Sequence, residues 1–97
     1  MKYGLSPNVI KQITEVISKF PQVEETIIYG SRVKGNYKPS SDVDLTLKGN
    51  NLTLQQLNKV AIMLDDLLLP QKFDVSIYQH ISNPDLLDHI ARVGQRL

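Results

Sequence analysis

Two short stretches of this chain each place apolar residues on one side and carboxylates on the other, and that pattern limits the possible folds most. Side chains alternate across a strand with a period of two. In the run from Val43 to Lys48, Val43, Leu45 and Leu47 share one face, and Asp44 and Thr46 share the other, with Asp42 just ahead of them. In the run from Lys72 to Tyr78, Phe73, Val75 and Ile77 oppose Asp74, Ser76 and Tyr78. A sheet built from such strands has one side that helices must cover. If the two strands are neighbours, three carboxylates converge on the opposite side. An Asp pair at i, i+2 is usually a solvated surface. Here, however, Asp works against strand propensity three times, and such local conflicts gather at functional sites. Crowded carboxylates also repel unless a cation lies between them.

The remaining segments supply the covering helices. Ser6 suits an N-cap and Pro7 a first turn, and Val9, Ile10, Ile13, Val16, Ile17 and Phe20 recur at helical spacing until Pro21. Thr26 to Tyr29 is β-prone and stops at Gly30. Gly30 to Ser41 reads as a polar turn, with one short helical turn, then a loop. Thr53 and Gln56 form a capping box for a second long helix, whose inward face is expected to hold Leu54, Leu57, Val60, Ala61, Leu64, Leu67 and Leu68, with Pro70 closing it. Asn83-Pro84 opens a last helix with Leu86, Leu87, Ile90 and Val93 on its apolar side. The order is helix, strand, strand, helix, strand, helix. It predicts one α/β (α+β) domain over residues 1–97, with helices stacked on a small sheet and no internal repeat or linker.

With 11 Lys and Arg against 10 Asp and Glu, the formal net charge is +1, which argues against a protein that coats long nucleic acid. There are no cysteines, so disulfides and thiolate metal sites are excluded. The N-terminal residues contain no signal-like apolar run, and no stretch is long enough to span a bilayer. The expected location is the cytoplasm, away from membranes. Homo-oligomerisation is left open.

Gly30-Ser31 follows a strand directly. Glycine there permits close approach of backbone to a ligand, and amides at such a turn with a Ser hydroxyl form a small anion cradle. Arg32, Lys34 and Lys38 offer positive charge nearby. Taken alone, the loop fits an ordinary solvated turn equally well. Gly30 and Gly35 have the spacing of P-loop glycines, but Asn36 and Tyr37 stand where that loop needs Lys and Ser or Thr. A calcium-binding EF-hand loop fails too, because Leu47 occupies its glycine position.

The combination is more specific than its parts. Gly30-Ser31, ten residues, then Asp42-Val43-Asp44 resembles the signature of the DNA polymerase beta-like nucleotidyltransferase superfamily. Gly30-Ser31-Arg32 with Gly35, followed by Ser41-Asp42-Val43-Asp44-Leu45, resembles its minimal nucleotidyltransferase (MNT) family of bacteria and archaea, often the antitoxins of HEPN toxins. Tyr3-Gly4-Leu5-Ser6, Phe73-Asp74-Val75, Asn83-Pro84 and Ile90 to Gly94 are similar to further parts of that family, so the likeness covers nearly the whole chain. It implies a polymerase beta-like core: a small mixed sheet with helices on one face and the active site on the other.

It also implies roles. Gly30 and Ser31 would hold a triphosphate, with Arg32 as a further phosphate contact or a partner for a carboxylate. Asp42, Asp44 and Asp74 would be both catalytic and metal-binding, holding two Mg²⁺ ions, with Asp74 nearest the attacking hydroxyl. Oxygen-only ligands independently favour Mg²⁺ over zinc, and two metals clamp the oxygens of a phosphoryl displacement. The implied reaction moves AMP from ATP to a hydroxyl, with the acceptor presented by a separate HEPN-type helical protein, since this length leaves no acceptor-gripping domain. Two other functions compete: a two-metal nuclease, and a non-catalytic nucleotide-binding module that neutralises a partner by masking it. His80 and His89 have no metal-spaced partner and read as surface or packing residues. Tyr37 is the one tyrosine placed where a functional role is open.

Overall fold

A computed structural model describes residues 1–97. Helix α1 spans Pro7–Ser18, and the Ser6 side chain accepts a hydrogen bond from the Val9 amide, as its sequence predicts. Strand β1 (Glu25–Tyr29) ends at Gly30, and a single helical turn, α2 (Ser31–Lys34), closes on a left-handed Gly35. Strand β2 (Val43–Lys48) leads to α3 (Leu54–Asp65), entered through a capping box in which Thr53 and Gln56 satisfy each other's backbone amides. Strand β3 (Phe73–Ile77) runs into a 3₁₀ turn at Tyr78–His80. Helix α4 (Pro84–Val93) is capped by the Asn83 side chain, and β4 (Gln95–Arg96) follows.

The sheet order is β3-β2-β1-β4. β2 pairs parallel to β3 and antiparallel to β1, which pairs antiparallel to β4. The mixed sheet of the expected fold class is therefore present. This topology has one consequence for function. β1 finishes at the same end of the sheet where β2 and β3 begin, so the Gly30 turn and the starts of both acidic strands meet there.

Register decides the faces. Ile28, Leu45 and Val75 lie in one cross-strand row. They point to the face where Ile13, Val16 and Ile17 of α1 and Val60 and Leu64 of α3 complete the main core of twelve buried residues. Each fully buried side chain of this size contributes about 1.5–3 kcal/mol, so this face dominates stability.

Four expectations need correcting. Helix α4 does not join α1 and α3. Its Ile90 packs with Ile27 and Tyr29 in a second, smaller cluster on the carboxylate face, because β1 alone among the central strands offers apolar residues to both sides. Part of that face is thus roofed. Leu54 and Leu68 are 63% and 89% exposed rather than inward. Leu54 is the first residue of its helix, and α3 ends at Asp65, leaving Leu68 beyond it with φ of 54°. The third strand stops at Ile77, so Tyr78 belongs to the turn. Finally, β4 is an element the sequence did not signal: two polar residues recruited by the free edge of β1. No helix is long and apolar enough to cross a membrane.

Candidate active site

Asp44 and Asp74 are register partners on adjacent parallel strands, and Tyr29 is the partner of Asp44 on the other side. The three side chains therefore form a row across the carboxylate face. Asp42 lies two residues ahead of Asp44, outside the strand and exposed to solvent. The structure thus sets Asp44 beside Asp74 at the start of β2 and β3, with Asp42 two residues ahead and its charge acting on Asp44. They do not close into a three-ligand cluster by themselves.

Crowding shows in the electrostatics. Burial, reinforced by the Asp74 and Asp42 charges and opposed by Arg32, pushes the Asp44 carboxyl from 3.8 up to about 6. Burial also raises the Tyr29 phenol; a hydrogen bond with Ser76 lowers it, and the charges of Asp44 and then Asp74 raise it further. A cation among these carboxylates would relieve their mutual repulsion, and an all-oxygen set fits Mg²⁺.

The Gly30 turn touches this row. Gly30 has φ 82° and ψ −156°, a region essentially restricted to glycine. A Cβ there would also collide with the Asp44 Oδ2. Glycine is required twice over, for its backbone and for the carboxylate beside it. Its carbonyl accepts from the amides of Val33 and Lys34 at 3.2 and 3.1 Å. Its own N–H donates to His89 Nε2 at 3.1 Å. That bond withdraws the Gly30 amide from the anion cradle expected of it and leaves the half-buried Ser31, the first residue of α2, as the polar group at the turn.

Arg32 departs most from expectation. It is only 2% exposed. Its guanidinium donates to the carbonyls of Ser41 (3.1 Å from Nε, 2.8 Å from Nη2), Pro39 (3.2 Å) and Tyr3 (3.0 Å). The Tyr37 ring lies over it at 5.3 Å from the ring centroid. Arg32 therefore ties the loop that delivers Asp42 to the N-terminal turn, with its guanidinium donors engaged by these carbonyls. Lys34 and Lys38 remain exposed. His89, read from sequence as a packing or surface residue, does pack edge-on against Tyr29, with ring centroids 6.1 Å apart, but it also reaches the site turn. Nothing in its local sequence signals this, because the contact joins residues 59 apart.

A glycine turn thus abuts paired carboxylates at one end of a mixed sheet. The family described as "Polymerase beta, Nucleotidyltransferase" matches residues 11–97. The chain belongs to this nucleotidyltransferase family. No curated protein matches it in sequence. Among solved structures, a toxin–antitoxin complex crystallised with AMP-PNP superposes with a TM-score of 0.75 at 19% identity, covering 95% of this chain and 72% of that one. A tri-AMPylated HEPN toxin in complex with its MNT antitoxin, from Shewanella oneidensis, gives 0.70 at 15% identity, over 92% and 68%. The MntA–HepT toxin–antitoxin complex also gives 0.70 at 15%, over 94% and 70%. At such identities the likeness establishes the nucleotidyltransferase fold.

Proposed function

We propose that this domain is a Mg²⁺-dependent nucleotidyltransferase that moves AMP from ATP to a hydroxyl of a partner protein, as the antitoxin of a HEPN/MNT pair. The observation that carries the reading is the contact between the Gly30 turn and Asp44, with Asp74 as the register neighbour of Asp44. A triphosphate at the turn would lie directly beside the carboxylates. The AMP-PNP complex and the AMPylated toxin among the structural relatives support the choice of nucleotide and of acceptor class.

Each residue has a definite task in this scheme. The Ser31 hydroxyl donates a hydrogen bond to the triphosphate. Gly30 keeps the turn flush against Asp44. Asp42, Asp44 and Asp74 would hold two Mg²⁺ ions, which when bound neutralise charge on the phosphates and orient the displacement. Asp74, the exposed member of the pair on the edge strand, lies nearest an incoming hydroxyl and takes its proton. The acceptor oxygen bonds to the α-phosphorus, the α–β anhydride bond breaks, and pyrophosphate leaves. Arg32 acts indirectly, by fixing the Pro39–Ser41 backbone ahead of Asp42.

The test is incubation of the purified domain with Mg²⁺, labelled ATP and its HEPN-type partner, followed by mass spectrometry of the partner. The expected result is an AMP adduct on a partner hydroxyl with release of pyrophosphate. Mg²⁺ and ATP at about a hundred times Kd should also stabilise the domain by about 2.7 kcal/mol. An unmodified partner, still neutralised by an Asp44→Asn variant, would replace transfer with masking.

A further inference from the structure

His89 lies next to the residue that anchors α4 to the sheet, Ile90, and its ring is half-buried against Tyr29. From there its Nε2 accepts the Gly30 N–H at 3.1 Å. An imidazole that accepts at Nε2 is neutral and carries its proton on Nδ1. The Gly30 carbonyl is engaged by Val33 and Lys34, and the space where a Cβ would stand is filled by Asp44. The imidazole therefore supplies the side-chain hydrogen bond that holds the Gly30 N–H from outside β1, α2 and β2. Without it, the Gly30 N–H has no partner, and Ser31 is the next residue along the chain.

We propose that His89 is a positioning residue of the donor-nucleotide site, holding the Gly30 amide so that the Ser31 hydroxyl stands ready for the triphosphate. The inference rests on the nucleotidyltransferase reading above. It also gives α4 a purpose on the carboxylate face. The helix is not only a roof over Ile27 and Tyr29; it carries the acceptor that pre-organises the turn, and pre-organisation of this kind improves binding by reducing what must be ordered on contact.

The test compares His89→Ala, His89→Gln and His89→Asn with the unaltered domain. Calorimetry measures the binding of ATP with Mg²⁺, and the ¹H–¹⁵N spectrum follows the Gly30 amide. The Gln side chain can place its oxygen near the position of Nε2, whereas the shorter Asn side chain cannot. Loss of this bond should weaken ATP binding about tenfold in His89→Ala and His89→Asn, and His89→Gln should restore most of it. The Gly30 amide resonance should move in the first two and return toward its original position in the third. In transfer assays the loss should appear in the KM for ATP, with kcat little changed. Unaltered ATP affinity in His89→Ala, or equal weakening in the Gln and Asn variants, overturns the proposal. If His89→Ala fails to fold, the Gln and Asn pair still decides. If the unaltered domain binds no ATP with Mg²⁺, the nucleotidyltransferase reading falls and this proposal with it; binding that is indifferent to all three variants overturns the proposal alone.

Discussion

Ile28, Leu45 and Val75 form one row across the sheet; Tyr29, Asp44 and Asp74 form the next. The first row lies beneath α1 and α3, where Ile28 and Leu45 belong to a core of twelve buried residues and the partly buried Val75 packs against it. The second is roofed only at Tyr29, by a helix whose cluster holds three. Neighbouring rows of the same strands thus obey opposite rules. One removes apolar surface from water and gains stability. The other gathers like charges, raising the Asp44 carboxyl to about 6, which is a cost to the metal-free fold. A small domain tolerates that cost because the period of two keeps the rows on separate faces.

Substitutions that strike one row or the other should therefore separate stability from chemistry. The largest effect belongs to the covered face. Leu45→Ala, at a fully buried position, should lose about 2–5 kcal/mol of unfolding free energy, measured by urea titration, and can leave little folded protein. A loss below about 1 kcal/mol would mean that this row does not hold the fold.

Arg32→Lys comes next and tests the tie between the Asp42 loop and the N-terminal turn. A lysine cannot reproduce a planar fork that serves three carbonyls. The expected loss is about 2 kcal/mol, with protease cleavage appearing first in the loop from Gly35 to Ser41. Weakened ATP binding with no change in stability would instead return Arg32 to a phosphate-binding role.

Asp44→Asn should abolish transfer while leaving the metal-free fold unchanged or more stable by roughly 0.5 kcal/mol. Its pH dependence is the sharper measurement. Because the folded carboxyl titrates near 6 and the unfolded one near 3.8, the folded state holds more protons between those values. Stability of the unaltered, metal-free domain should therefore rise as pH falls from about 6 toward 3.8, and this contribution should vanish in the variant. A variant that unfolds would make Asp44 structural and erase the contrast between the rows. The smallest effect is that of Ser31→Ala, which should weaken ATP binding by roughly 1 kcal/mol with the fold intact. Equal affinity would place the phosphates elsewhere.

Much of this was legible in the linear sequence because it is local. Ser6 and Thr53 with Gln56 cap the helices they were expected to cap, and Asn83-Pro84 opens the helix it was expected to open, since a cap bonds to amides two or three residues away. The faces of β2 and β3 followed from alternation, and the acidic trio followed from the faces. Errors appeared where a helix end was at issue. Leu54 and Leu68 fit the apolar period but lie at the first residue of α3 and beyond its last, where the period no longer dictates direction.

What only the tertiary structure decided involves partners far apart in the chain. The pairing of Asp44 with Asp74 depends on the register between β2 and β3, and the sequence specifies faces but not the strand order. The burial of Arg32 depends on Tyr3, 29 residues away, and the hold of His89 on Gly30 spans 59. Strand β4 exists because the edge of β1 offers unpaired backbone groups, which any two extended residues arriving there can satisfy. Local sequence determines which side chains share a face or a turn, since covalent geometry sets those periods. Which faces and turns then meet is settled by packing the whole chain at once.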